Sequence, residues 1–312
     1  MVDGYMKNLS TLVLMGLALG HCSACKTDDS STPTGPTSQK DPFITAAIAK
    51  ISDSSLASYV TSLQNFGTRY YSNTNRDSIV SWIQARFLSF GVIEVSLHSF
   101  SFLGTAQKNV VATLPGGDLH SQEIIICGHY DSNSTDTLKA PGADDNASGT
   151  AGVIELARVL KLMGYQPRRT LRFICLAAEE KGARGSLAYA QNARAQSRDI
   201  RLTVNFDMIA YRGTEQATYN LYSPDTSGAQ LAVGIIMLYT EEAPVLKVSG
   251  MGPDDASFYY AGYTHTLFFT DLIHRYPFAH SPSDLLDKLD MNYERKILQA
   301  ALAVILTVDQ MP

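Results

Sequence analysis

The sequence predicts an α/β domain, a three-layer α/β/α sandwich built on a mostly parallel, mixed central sheet. Three short runs, at 124–127, 171–177 and 202–206, are almost continuously apolar, as strands covered on both faces tend to be. Helical patterns at 147–163 and 182–195 separate them, and strand alternating with helix is the mark of parallel βαβ units. Right-handed crossovers then bring the carboxyl ends of these strands to one sheet edge, where sites in such folds form.

Taken in order, the chain opens with an apolar run at 9–20 (LSTLVLMGLALG) preceded by Lys7. It is too short to span a bilayer and reads as the core of an export signal, with Met6-Lys7-Asn8 as a more natural start than Met1. Cys22 and Cys25 follow at once, with Ala24 before the second and a polar stretch after it. That arrangement resembles a bacterial lipoprotein signal with lipidation at Cys25, although Cys22 stands where such signals usually carry leucine. An ordinary cleaved signal with incidental cysteines is the alternative. Residues 26–41 are rich in Ser, Thr, Pro and Asp and read as a disordered tether. The expectation is therefore an exported, membrane-anchored protein, periplasmic or at the cell surface: signal 1–25, tether 26–41 and a single domain 42–312.

Within that domain, 43–65 and 75–90 read as helices, the second with Ile79, Trp82, Ile83 and Phe87 along one face. Strands are expected at 94–102 and 109–114, the latter closed by Pro115-Gly116-Gly117. Gly164 stops the helix at 147–163. Further strands are expected at 217–222 and 265–270, and a closing helix at 290–308.

Composition narrows the function. Of 312 residues 45% are hydrophobic and 18% charged, enough apolar material for a sizeable core. The net charge is −5, with no basic stripe, which argues against nucleic acid as a partner. Cys127 and Cys175 each lie inside an apolar run and read as buried free thiols rather than a disulfide framework.

Acids and histidines fall at the ends of the three apolar runs: His129-Tyr130-Asp131 after the first, Glu179-Glu180 after the second, Asp207 after the third. Acids scattered on a surface would not end three core strands in turn. Their repulsion and desolvation are tolerable only if cations compensate. Imidazole and carboxylate without thiolate suit zinc in an open catalytic site. Residues i and i+2 of a strand share a face, so Asp131 can accept a hydrogen bond from one nitrogen of His129 and leave the other for metal. An isolated HxD pair is more often a surface pair. The turn 141–149 carries Asp144-Asp145 before a helix. Two acids there either favour the helix dipole or supply a carboxylate that bridges two cations. Of Glu179 and Glu180, adjacent residues at a strand end diverge, so one can bind metal while the other faces water as general base. His280 lies in a loop before the last helix; His98, His120, His265 and His274 read as ordinary surface residues.

GHYDS, PGADDNASG, AAEEKGARGS, NFDM and AHSPSDLLDKLD, in that order over residues 43–308, resemble the co-catalytic di-zinc aminopeptidases, a family that includes bacterial leucyl aminopeptidase and the glutaminyl cyclases. The resemblance implies a zinc-exopeptidase-like fold, two Zn²⁺ ions and peptide substrates with a free N-terminus. It assigns His129 and Asp207 to one zinc, Glu180 and His280 to the other, and Asp145 as bridge, with Asp144 a neighbour. Glu179 would be the general base and Asp131 the partner of His129. A cis peptide after the bridging aspartate is also common in the family.

The chain departs from the pattern at Pro253-Asp254-Asp255-Ala256-Ser257-Phe258, where relatives often carry Ser-Asp-His before an aromatic. A cysteine pair and tyrosine found in some secreted members give way to Gly250-Met251-Gly252. The glutaminyl cyclases are the rival reading. They tend to place tryptophan beside the pocket, including just before the last histidine, where this chain has Ala279; its only tryptophan is Trp82. A binding protein that kept the fold without activity would not need all five ligands and Glu179. Removal of C-terminal residues would call for a basic pocket, for which Arg184, Arg212 and Arg275 are the candidates.

Overall fold

The computed structural model describes residues 39–213, 219–241, 243–248, 250–271 and 276–312. The signal-like run, Cys22, Cys25, nearly all of the expected tether, His274 and Arg275 lie outside the described residues. The first elements are helices α1 (Pro42–Ile48), α2 (Asp53–Gln64) and α3 (Arg76–Ser89), then strands β1 (Glu94–Phe102), β2 (Thr105–Leu114) and β3 (Leu119–His129). Next come α4 (Gly149–Leu162), β4 (Arg169–Leu176), α5 (Arg184–Ala195), β5 (Asp199–Phe206) and β6 (Asn220–Tyr222). The chain continues through α6 (Thr226–Tyr239), β7 (Val245–Lys247), α7 (Pro253–Tyr260), β8 (Thr266–Thr270) and α8 (Met291–Gln310).

The strands form one eight-stranded sheet in the order β1-β2-β4-β3-β5-β8-β6-β7. Its centre, β4-β3-β5-β8, is parallel. β1 and β2 are added antiparallel on one side, and β6 joins β8 antiparallel on the other. From β3 the chain crosses to β4 on one side, then returns through α5 to β5 on the other. That reversal opens a crevice at the carboxyl ends of β3 and β5, the usual place for a site in an open α/β sheet.

The alternation of the central strands explains the three layers. Ile124 and Ile126 of β3 face one core, filled by Ile44, Leu56, Ile79, Ile154, Ile235 and Leu298 of helices α1 to α4, α6 and α8. Ile125 and Cys127 face the other, filled by Tyr189 and Ala190 of α5 and Phe258 of α7. With both faces covered, β3 and β4 need apolar residues at successive positions.

The expected helix at 43–65 is two helices. Ser52 accepts a hydrogen bond from the Ser55 N–H and starts α2 afresh, because a capped N-terminus satisfies donors that a continuous helix would pair elsewhere. β3 begins at Leu119, earlier than its apolar run, since residues 119–122 are partly solvated. Three elements were not anticipated: α6, β7 and α7. Pro253 at the first position of α7 follows an extended Gly252, a start signal that lies within a segment read only as a family motif. α4 ends as expected, with Gly164 in the left-handed region at φ +63°.

Candidate active site

Each strand end delivers its side chain by a different local device. β3 ends on His129 itself. Asp207 directly follows β5, and its N–H donates to the Phe269 carbonyl of neighbouring β8. After β4, Ala178 turns through φ +56° and starts the single turn Glu179–Lys181. His280 and Met208 also take left-handed conformations, at φ +53° and +55°. Such conformations cost a non-glycine residue energy and gather where a side chain must be aimed. The Asp145–Asn146 peptide is cis, in line with what the resemblance implies.

The side chains converge on Asp145. Its Oδ1 lies 3.5 Å from His129 Nε2, and its Oδ2 3.0 Å from His280 Nε2. His129 Nε2 is also 3.4 Å from Asp207 Oδ1 and 3.7 Å from Glu179 Oε2, while His280 Nε2 is 3.0 Å from Glu180 Oε2. Two groups of possible ligands result, His129-Asp145-Asp207 and Asp145-Glu180-His280, each with donor atoms within 4.8 Å of one another. All five sequence-expected ligands are therefore brought together, and Asp145 belongs to both groups.

Protein groups alone leave this arrangement unfinished. His129 Nε2, Asp207 Oδ1 and Glu180 Oε1 are buried without a hydrogen-bond partner among the described residues. Tetrahedral ligands about 2.0–2.1 Å from a zinc ion stand about 3.3–3.4 Å from each other. The His129 contacts with Asp145 and Asp207, at 3.5 and 3.4 Å, match that edge length. The donor set fits divalent metal.

Electrostatics point the same way. Burial pushes the Glu179 carboxyl up to about 9, against the pull of His129 and with the help of Asp254, Asp207 and Asp131. Burial likewise raises Asp207 and Glu180. His280, hydrogen-bonded to Asp145 and Glu180, rises to about 10. His129 is raised despite its burial, because Glu179, Asp131 and Asp207 surround it. Without cations the cluster is balanced by protons, and bound cations can replace them.

Asp131 is placed differently from the expectation. The His129 Nδ1–H donates to the Asp131 backbone carbonyl at 3.1 Å, while the Asp131 carboxylate stands 3.6 Å from that nitrogen. The carboxylate instead accepts from the N–H groups of Glu179 (2.9 Å) and Glu180 (3.2 Å). The i, i+2 rule fails because β3 stops at His129, so Asp131 is no longer on a strand. Asp131 thus ties the first strand end to the second.

Three supporting residues have roles that the sequence did not assign, although Asn146 and Asp284 lie inside motifs that carry the resemblance. Asp284 accepts from the N–H groups of Asp144 (2.8 Å) and Asp145 (3.1 Å) and from Tyr276 Oη, holding the turn that presents Asp145. Arg69 is fully buried and donates to the carbonyls of Tyr130, Pro141 and Gly142. Asn146 links the turn to β5 by donating to the Phe206 carbonyl at 2.9 Å. Asp144 faces away from the ligand groups: its Oδ1 accepts from the Ala210 N–H. Among the other histidines, His98 meets Asn109, His120 the Gly117 carbonyl and His265 Asp225. Arg212 stands 3.9 Å from Asp290. Cys127 and Cys175 are buried free thiols.

The site opens into a cleft of about 660 Å³, lined on its apolar side by Met208, Met251, Phe268 and Tyr276. The sequence profile of Peptidase family M28 matches residues 109–305, which include all five candidate ligands and Glu179. The chain belongs to Peptidase family M28. A Pyrenophora tritici-repentis protein described as "Probable zinc metalloprotease" is 31% identical over 192 residues, 54% of this chain and 39% of that protein. The chain thus spans about two fifths of the length of the first curated relatives it matches. An Arthroderma otae protein described as "Probable leucine aminopeptidase" is 26% identical over 312 residues, 96% of this chain and 84% of its own. Among solved structures, LapA aminopeptidase of Legionella pneumophila superposes with a TM-score of 0.79 at 21% identity, covering 95% of this chain and 81% of LapA. A Bacteroides thetaiotaomicron glutaminyl cyclase superposes with a TM-score of 0.67 at 19% identity, covering 82% of this chain and 98% of the cyclase. At these identities the structures establish a shared fold, common to aminopeptidases and cyclases alike.

Proposed function

We propose that this M28 protein is a zinc-dependent aminopeptidase that removes N-terminal residues from peptides, using two metal ions. The observation that carries the reading is the double role of Asp145, one oxygen facing His129 and the other facing His280. His129 and Asp207 would hold one ion, Glu180 and His280 the other, with Asp145 between them. When bound, the ions supply Lewis acidity, drawing electron density from a scissile carbonyl and acidifying water. The chain's own residues do the rest. Glu179 is not needed as a ligand; its backbone is pinned by Asp131 and its carboxyl stands at the edge of the cluster. Burial raises its proton affinity in the metal-free cluster, and cations bound beside it would lower that affinity toward the range of a general base. It takes a proton from the attacking water and delivers it to the leaving amine. The apolar wall of Met208, Met251 and Phe268 beside the cluster suits an apolar first side chain.

The glutaminyl cyclase alternative shares this fold. Ala279 in place of tryptophan before His280, and a cleft lined without tryptophan among the described residues, favour hydrolysis. Export and a lipid anchor at Cys25 complete the proposal on the pattern of residues 9–25 alone; mass spectrometry of the N-terminal peptide for an acylated cysteine tests that part. For the enzyme, the decisive experiment is metal analysis of the purified chain with hydrolysis of amino-acid p-nitroanilides before and after chelation. Two zinc ions per chain, and turnover lost on chelation and restored by zinc, are expected. Glu179→Ala should keep both ions and lose turnover by at least about a hundredfold. Chelation-resistant hydrolysis, or a Glu179→Ala variant with full turnover, overturns the reading.

A further inference from the structure

Beside the ligand cluster the rim of the cleft changes sign. Lys181 follows Glu180 directly, and its Nζ sits 4.7 Å from the centre of the Tyr70 ring and 5.9 Å from that of Tyr71. Arg184, at the start of α5, lays its guanidinium 5.2 Å from the centre of the Phe102 ring. Its Nε donates to the Lys181 carbonyl at 2.9 Å, so the two cations share one turn. Tyr70, Tyr71 and Phe102 pack in series, at 4.9 and 5.4 Å between centroids. Gln107 fixes the Tyr71 backbone from β2, with its amide 2.8 Å from that carbonyl. The platform beneath the cations is thereby built from three separate parts of the chain.

The guanidinium stands next to the edge of the cleft, outside its lining. Gly182 lines the cleft, and a β-carbon placed there would stand 3.6 Å from Arg184 Nη2. Arg184 is exposed, Lys181 is partly so, and neither forms an ion pair with a carboxylate among the described residues. Two unpaired cations are thus held in place by ring faces rather than by acids. That geometry leaves their charge free for a ligand.

We propose that Lys181 and Arg184 form the subsite for the downstream part of the peptide and select substrates with acidic residues just after the scissile bond. The inference rests on the aminopeptidase reading. If Glu179 hands its proton to the leaving amine, that amine lies beside Glu179. The chain that carries it must then leave the cleft past the turn holding Glu179, Lys181 and Arg184. Asp145, Glu180 and Asp207 would be matched by the metal ions they hold, so Lys181 and Arg184 are where a substrate carboxylate finds unshared positive charge. The tyrosine and phenylalanine faces offer apolar surface to the same segment.

The test compares kcat/KM of the zinc-loaded chain for Leu-Glu-Ala-Ala and Leu-Ala-Glu-Ala with their lysine counterparts, and for leucyl p-nitroanilide, which has no downstream residue. Acidic peptides are expected to lead the lysine peptides by about fivefold at low salt, the order of an exposed ion pair, with the gap closing as ionic strength rises. Arg184→Glu should reverse the order, an outcome that misfolding cannot imitate because it would depress all substrates together. Lys181→Gln should narrow the gap. Equal rates for acidic and basic peptides, or an acidic preference that survives Arg184→Glu, overturns the subsite while the p-nitroanilide still reports an aminopeptidase. A zinc-loaded chain inert toward every one of these substrates overturns the parent reading and the subsite with it.

Discussion

Glu294 is poorly matched to its surroundings. It lies in α8, fully buried, and neither carboxyl oxygen has a hydrogen-bond partner among the described residues. Burial holds its proton well above the ordinary glutamate range, and the nearby acids Asp144, Glu155 and Asp53 add to the effect. In the unfolded chain the same carboxyl ionises near pH 4.3. The folded state therefore binds more protons above that pH, and stability falls as pH rises toward the folded value. Glu294→Gln keeps the shape of the protonated acid and removes this penalty. Its melting temperature relative to the parent should rise between pH 4 and pH 8, by several degrees on thermal scans at matched zinc. A difference that stays flat with pH would show that Glu294 is ionised in the fold. Residue identities at the metal cluster were legible in the sequence because charge at the end of an apolar run is conspicuous. Arg69 and Asp284 were not, since each acts through backbone groups that only the folded chain brings near: the carbonyls of 130, 141 and 142 for one, the amides of 144 and 145 for the other.

Among elements, the start of α4 matters most to the site. The turn bearing Asp145 runs into this helix at Gly149, which packs on the end of β5. A β-carbon at Gly149 would fall 2.4 Å from the Phe206 carbonyl oxygen and 2.5 Å from Asn146 Oδ1. Neither can move without displacing Asp207 or the Asp145 turn, because Asn146 bonds the same carbonyl and the Gly149 N–H. Gly149→Ala should therefore lower zinc affinity by at least about tenfold and cost on the order of 1–3 kcal/mol, as overpacking does. Zinc titration and denaturant unfolding read the two effects. Unchanged affinity would mean that α4 can shift on the sheet independently of the site. The strands and most helices were foreseen from periodicity, while α6, β7 and α7 were not. β7 spans only Val245–Lys247, and α6 is apolar along much of its length, so neither gives a clean period.

At the scale of the whole molecule, stability and metal are coupled. Cys127 and Cys175 form no disulfide, so reductant should leave the melting temperature of the domain 42–312 unchanged. The ligand cluster joins β3, β4, β5 and the loop before α8, and ions bound there stabilise only the folded chain. At a hundredfold excess over its dissociation constant, a single ion adds about 2.7 kcal/mol. That corresponds to a rise of roughly 5–10 °C in a domain of this size. Scanning calorimetry of the chelated and zinc-reconstituted chain should show a gain of that order. Identical curves would mean that the cluster is satisfied without metal.

The sequence by itself determined the layer order, the three strand ends and the chemistry placed on them. Those depend on period, apolar runs and residue type, all local to the chain. Tertiary structure alone decided the distances at which Asp145 stands between the two histidines, and that Asp131 takes the His129 ring on its backbone carbonyl while its carboxylate holds the Glu179 turn. It also decided that Lys181 and Arg184 meet Tyr70, Tyr71 and Phe102 at the rim. The physical reason is range. Hydrogen bonds and ring contacts between residues tens to hundreds of positions apart exist only once the strands are in register, and no local pattern encodes the distance between them.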